Sequence, residues 1–153
     1  MLPVKQHLDQ HSNGTPIILE DAAQALAHYP HARKHNGLIY ISGISSRRED
    51  NSYEGVTVQP DGTKFLDIKL QTSAVLKNIE KILKKAHGTL DNVIDLTVFL
   101  TDMKYYQEFN QVYNQFFKKE TGPSRTTVAV YQLPNPDLLI EIKAIASDPH
   151  FNK

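Results

Sequence analysis

Between residues 68 and 86, apolar and small side chains recur at three- and four-residue intervals. Ile68, Thr72, Val75, Leu76, Ile79, Ile82, Leu83 and Ala86 form one stripe, and Lys77, Glu80, Lys81 and Lys84 fall on the solvent side. This spacing predicts an amphipathic helix with one dry face. Lys84, Lys85 and His87 put positive charge near its C-terminus, and Gly88 is the expected left-handed cap. The period then drops to two. Ile94, Leu96, Val98 and Leu100 alternate with Val93, Asp95, Thr97 and Phe99, the mark of a strand. Asp102 is positioned to cap a second helix with the stripe Tyr106, Phe109, Tyr113, Phe116 and Phe117, stopped by Gly122-Pro123.

Four other stretches read as extended chain. LIYISGIS, after Gly37, is rich in β-branched and aromatic residues and runs into the polar loop SSRREDNSYEG. A short strand around Gly55–Val58 meets the turn Pro60-Asp61-Gly62. RTTVAVYQ and LLIEIKAIA form two final strands joined by a proline-containing turn from Leu133 to Asp137. The order is β-β-α-β-α-β-β, a single α+β domain with two helices on one face of a mixed sheet. Residues 1–28 are polar, with a turn at Ser12-Asn13-Gly14 and a short helix expected over Leu19–Ala27. They are read as an N-terminal extension, and residues 29–153 as the domain proper.

The chain's 153 residues suit one domain with a self-supporting core. Seventeen basic residues balance seventeen acidic ones, so no global field gathers nucleic acid or anionic lipid. The absence of cysteine excludes a disulfide framework, a thiolate nucleophile and cysteine-ligated metal. No apolar run approaches the ~20 residues that span a bilayer, and the N-terminus lacks the pattern of a secretory or transit signal. The expectation is a soluble cytoplasmic protein without membrane or nucleic-acid partners.

The strands carry the charges that matter. Arg125 opens a strand directly after a helix end. Glu141 interrupts an apolar run where an ionised carboxylate is costly without a partner. A structural ion pair, an edge-facing glutamate and a catalytic group all fit that pattern. Arg47-Arg48, beyond the end of a strand, fits either a solvated loop or an anion site. His28, His31 and His35 could share a helix face as metal ligands, but Pro30 interrupts that helix, no carboxylate completes the set, and no metal is expected. Ser42-Gly43 lacks the nucleophile-elbow motif, and no glycine-rich phosphate loop is present.

Four pieces in order resemble the reactive-intermediate deaminases, the Rid or YjgF family: Tyr29 thirteen residues before Ser42-Gly43, FLTDMKYYQEFNQVYNQFF, GPSRTTVAVYQLP and LLIEIKAIA. The resemblance runs from about Tyr29 to Ala146. It implies a chorismate-mutase-like fold with a six-stranded mixed sheet, and a homotrimer with active sites between subunits. It also implies hydrolysis of imine or enamine acids without a cofactor. Residue by residue it gives Arg125 as the grip on a small substrate's carboxylate, and Glu141 as the group beside the catalytic water. Tyr29, Ser42, Gly43 and Asn110 become cleft contacts. Thr127 stands where the deaminase branch often has cysteine. HYPHARK, SGISSRREDN and the C-terminal strands are most similar to the branch acting on 2-aminomuconate, which carries a carboxylate at each end. A second arginine fork, Arg47 or Arg48, would suit the distal one.

Overall fold

The computed structural model describes residues 11–152. Residues 1–10 of the expected N-terminal extension lie outside the described residues. Eight strands and two long helices follow one another: β1 (Thr15–Ile17), β2 (Ala32–His35), β3 (Leu38–Ile44), β4 (Val56–Val58), β5 (Lys64–Leu66), α1 (Ile68–Lys85), β6 (Val93–Leu100), α2 (Tyr106–Phe116), β7 (Ser124–Ala129) and β8 (Ile140–Ser147). Six strands form one sheet in the order β1-β2-β3-β8-β6-β7, antiparallel except for the parallel β6–β7 pair. Strands β4 and β5 make a separate hairpin. The two helices and the mixed six-stranded sheet make up the expected chorismate-mutase-like α+β fold.

Alternation decides the two faces of this sheet. Ile39 and Ile41 on β3, Leu96, Val98 and Leu100 on β6, and Ile140, Ile142, Ala144 and Ala146 on β8 are buried in the core. They pack with Val75, Leu76, Ile79 and Leu83 of α1 and Phe109 of α2 in one cluster. Their neighbours along the strands point the other way. Tyr40 and Lys143 are exposed there, and Thr97, Phe99, Glu141 and Ile145 are half-buried.

Several local expectations are corrected. Leu19–Ala27 forms no helix, because side chains have taken the backbone groups that a helix would use. Gln24 Nε2 donates to the Leu19 and Ala22 carbonyls, both at 2.8 Å, while Arg47 and Lys81 donate to those of Gln24 and Asp21. The segment set aside as an extension supplies edge strand β1, whose Pro16 is tolerated at a sheet edge. It also sends Ile17 and Leu19 into the core. The left-handed cap of α1 is His87 (φ 61°), not Gly88. His87 N–H donates to Lys84 O and Gly88 N–H to Leu83 O, the two bonds of a Schellman motif. Asp102 caps a short 3-10 turn at Met103–Tyr105 rather than α2 itself. The two final strands are not neighbours, since β6 lies between them.

One buried polar residue fixes the approach to β8. Gln71 of α1 is fully buried; its Oε1 accepts from Leu139 N–H at 2.8 Å, and its Nε2 donates to Asp137 O at 2.9 Å. Gln71→Leu strands both backbone groups, and each unsatisfied buried group costs about 1–3 kcal/mol. The variant should lower the urea midpoint by a corresponding amount at unchanged m-value. An unchanged midpoint would show that the 137–139 turn holds without it.

Candidate active site

The order of the central strands brings one group of the expected residues together. Strand β3 pairs with β8 through a register shift between Ile41 and Ile44. Ser42 and Gly43 occupy the irregularity. A bulge of this kind re-aims the chain, and here it brings the Gly43 backbone against Glu141. A methyl group on Gly43 would lie 2.7 Å from Glu141 Oε2 and 2.9 Å from Cδ, closer than carbon can approach. Glycine at this position leaves the carboxylate its space.

Ser42 fixes the opposite wall. Its hydroxyl donates to Pro30 O at 2.8 Å, and its N–H donates to His31 O at 3.0 Å, so Tyr29-Pro30-His31 is tied to β3. Tyr29, 51% exposed, lines the cleft that results. This cleft, of about 260 Å³, also takes in Ser42, Gly43, Arg47 and Glu141, with Asn78, Lys81 and Ile82 of α1 and Leu138 ahead of β8.

Glu141 is the chemically distinctive group in it. Among the described residues its carboxylate forms no ion pair within the chain. Burial pushes its pKa above the ordinary carboxylate value. A desolvated carboxyl with no fixed partner can exchange a proton with a bound water or substrate nitrogen.

The two adjacent arginines are separated by their partners. Arg48 is taken up by Glu54 at 2.6 Å and by Ser52 Oγ at 3.0 Å, and it is not among the residues that form the cleft. Arg47 lines the cleft, where one terminal nitrogen donates to Gln24 O. A guanidinium has five N–H donors, so this bond leaves others for a ligand. Asn78 Nδ2 holds the Arg47 backbone by donating to Ser45 O at 2.9 Å and Arg47 O at 3.3 Å.

Arg125, Thr127 and Asn110 lie elsewhere in the chain. Arg125 pairs with Leu96 and Thr127 with Val98 across the parallel β6–β7 ladder, so both face the helices. Glu141 pairs with Phe99 and faces away from them. The Arg125 guanidinium is 4.7 Å from the Tyr113 ring centroid, 5.0 Å from Phe109 and 5.7 Å from Tyr106, and it donates to the Tyr106 hydroxyl at 3.2 Å. Burial raises the Tyr113 phenol pKa, partly offset by the Arg125 charge. Thr127 Oγ1 is buried without a hydrogen-bond partner. Asn110 is half-buried on α2.

The sequence missed some cleft residues. Lys81, read as a solvent residue of α1, lines the cleft and pairs with Asp21 at 3.3 Å. Asn78 and His31 likewise carried no signal for it. His31 and His35 do not share a helix: His35 ends β2, and both ring nitrogens of His31 are engaged with backbone. Among the described residues, no group of three or more histidine and acidic side chains is placed to hold a metal ion.

Residues 19–148 match the family model described as Endoribonuclease L-PSP. The chain is 35% identical over 136 residues to Protein HMF1 of Saccharomyces cerevisiae, covering 88% of this chain and 95% of that one. The solved structure of YyfA from Yersinia pestis, described as a member of the conserved Rid protein family, is similar at a TM-score of 0.75 and 33% identity, covering 87% of this chain and 98% of that one. E. coli TdcF, solved with bound serine, is similar at a TM-score of 0.72 and 27% identity, with 87% and 98% covered.

Proposed function

This chain belongs to the endoribonuclease L-PSP family, the Rid/YjgF proteins, and from that premise we propose that it hydrolyses a small 2-imino or enamine acid to the 2-oxo acid and ammonia. The observation that carries the reading is Glu141: a carboxyl whose pKa is raised by burial, without an ion pair among the described residues, and given room by Gly43 in a cleft that also holds Arg47. An imine carbon needs only a positioned water and proton transfer, so neither metal nor covalent nucleophile is called for. Glu141 takes a proton as the water oxygen bonds to C2. It passes that proton to the imine nitrogen, giving a carbinolamine, then takes the hydroxyl proton and delivers it to the same nitrogen as the C2–N bond breaks, so both water hydrogens leave in ammonia and C2 is left a carbonyl. TdcF, with its bound serine, offers a family precedent for a small amino acid ligand.

Arg125 grips the carboxylate next to C2. Its guanidinium and Glu141 lie on opposite faces of their own sheet, so a site that uses both joins Arg125 of one subunit to Glu141 of another. A homotrimer with inter-subunit clefts satisfies this requirement, and the half-open sheet face of Tyr40, Phe99, Lys143 and Ile145 is the surface that such an assembly would cover. The second grip sets the substrate class. Arg47 suits the far carboxylate of a diacid such as 2-aminomuconate, whose product is 4-oxalocrotonate.

RNA cleavage, named for the family model, fits the cleft less well. Strand scission of that kind commonly uses a pair of proton-transferring groups, and the ring nitrogens of His31, the histidine lining the cleft, are both engaged with backbone.

The preference for a diacid gives the test. Arg47→Ala should lower kcat/KM for 2-aminomuconate about 10- to 150-fold, the equivalent of one charge-assisted contact of about 1.5–3 kcal/mol. Turnover of a monocarboxylic imine, which also reports any loosening of the wall at Gln24, should change far less. Arg48→Ala should leave both alone. Equal losses on the two substrates, or the Arg47 effect appearing in Arg48→Ala, would exclude Arg47 as the distal grip.

A further inference from the structure

The wall of the cleft between Asp21 and Pro30 contains no helix or strand, yet it carries Tyr29 and several lining residues. What holds it in shape is a set of side chains bonded to its backbone. His31 bonds both to this backbone and to the chain just ahead of it. Leu19 N–H donates to Nδ1 at 3.2 Å, and Nε2 is 2.9 Å from Ala23 O. An amide N–H cannot accept and a carbonyl cannot donate. The pair is therefore satisfied only by a neutral imidazole with its hydrogen on Nε2. An imidazolium has no lone pair for Leu19 N–H and would set two N–H groups against each other at that distance.

We propose that His31 is a positioning residue whose neutral Nε2–H form clamps this wall, so that the cleft is assembled only while His31 is uncharged. The proposal rests on the reading that the cleft is where the reaction occurs. Other ties of the wall donate to backbone carbonyls and need no histidine lone pair: Gln24 bonds Ala22 O and Ser42 bonds Pro30 O. Arg47 likewise donates to Gln24 O and Lys81 to Asp21 O.

Other titratable and charged groups face the same cavity. They are Asp21 and Tyr29 on the wall, Arg47, Glu49 and Tyr53 in the loop after β3, Lys81 on α1 and Glu141 on β8. Glu141 supplies an acid limb of its own to any rate profile. A single profile therefore does not isolate His31, and a comparison of variants does. Glutamine is the informative replacement: its Oε1 can accept from Leu19 N–H, its Nε2 can donate to Ala23 O, and it does not titrate. Leucine can do neither.

The experiment uses the full chain in its native assembly. Imidazole and backbone 1H–15N NMR spectra are followed on acidification, alongside kcat/KM for 2-aminomuconate normalised to each protein's own neutral-pH rate. In wild type, the neutral spectrum should show the Nε2–H tautomer, and the amide signals of Leu19 and Ala23–Leu26 should shift together with the imidazole titration. Wild-type kcat/KM should fall several-fold further than that of His31→Gln, in which those amides do not follow such a titration. The proposal is overturned if the wild-type wall amides ignore the imidazole titration, or if His31→Gln keeps the full wild-type acid limb. Should His31→Leu fail to fold, the glutamine comparison decides alone. Absence of ammonia release from every form overturns the reaction assigned to the cleft, and the amide signals still judge the clamp.

Discussion

Arg125→Lys is expected to lower kcat/KM roughly 10- to 150-fold, with most of the loss in KM. Lysine keeps the charge but presents a point in place of a planar fork, which removes at least one of two parallel bonds to the carboxylate. One charge-assisted hydrogen bond of about 1.5–3 kcal/mol sets that range. The surroundings make the loss steeper than a simple exchange of charge. The guanidinium lies near the rings of Tyr113, Phe109 and Tyr106 and is pinned by the Tyr106 hydroxyl, and an ammonium reproduces neither the stacking nor the orientation. Arg125→Ala should lose more, since the carboxylate then has no cation beside it. Steady-state kinetics on 2-aminomuconate check both variants. An Arg125→Lys enzyme within about twofold of wild type would remove Arg125 from substrate binding and return it to a structural role against α2.

Glu141→Gln is expected to act on kcat instead. Positioned acid–base catalysis typically contributes about 10²- to 10⁴-fold, and the amide retains the shape of the carboxylate but not its proton transfer. Binding of a non-reactive dicarboxylate should survive. If binding collapses together with turnover, the side chain is part of the scaffold.

The same variant should be more stable than wild type near neutral pH. Burial raises the folded-state pKa of Glu141 above its unfolded value. In acid, below the unfolded value, both states hold the proton and the residue imposes no penalty. As pH rises through the folded value, the folded protein must accommodate the charge in a half-buried site, and stability falls. Glutamine avoids that penalty. The Tm of Glu141→Gln should therefore exceed that of wild type at neutral pH, with the gap closing on acidification. A gap that stays constant with pH would show that ionisation of Glu141 is not its cause.

Local periodicity made the helices and the central strands legible. The stripe from Ile68 to Leu83 and the alternation from Val93 to Leu100 each state which side is buried, because burial is what those periods encode. The N-terminal region gave no such signal. Strand β1 is three residues long with a proline, β2 reads ARKH, and both are held by a neighbour's ladder rather than by their own apolar content. The wall from Asp21 to Pro30 is likewise built from side-chain bonds to distant partners on α1 and the loop after β3. An alanine-rich string such as AAQALA therefore reads as helix and is not one.

The site was half visible for a related reason. Glu141 and Arg125 stood out as charges within strands. Whether they share a face depends on β6 lying between β7 and β8, and strand order is not a local property of the sequence. The cleft role of Lys81 was hidden because its spacing on α1 assigns it to solvent, while the wall that meets it comes from sixty residues earlier. The choice between Arg47 and Arg48 depended on Glu54 and Ser52, partners brought round by the loop turning back on itself.

The most direct test of the central claim measures ammonia released from 2-aminomuconate generated in situ, against the spontaneous rate in the same solution. Wild type should release one equivalent of ammonia as the substrate absorbance disappears, well above the background. Arg125→Ala and Glu141→Gln should fall toward that background. Ammonia release by wild type no faster than the spontaneous rate, on this diacid and on a monocarboxylic imine alike, would contradict the account.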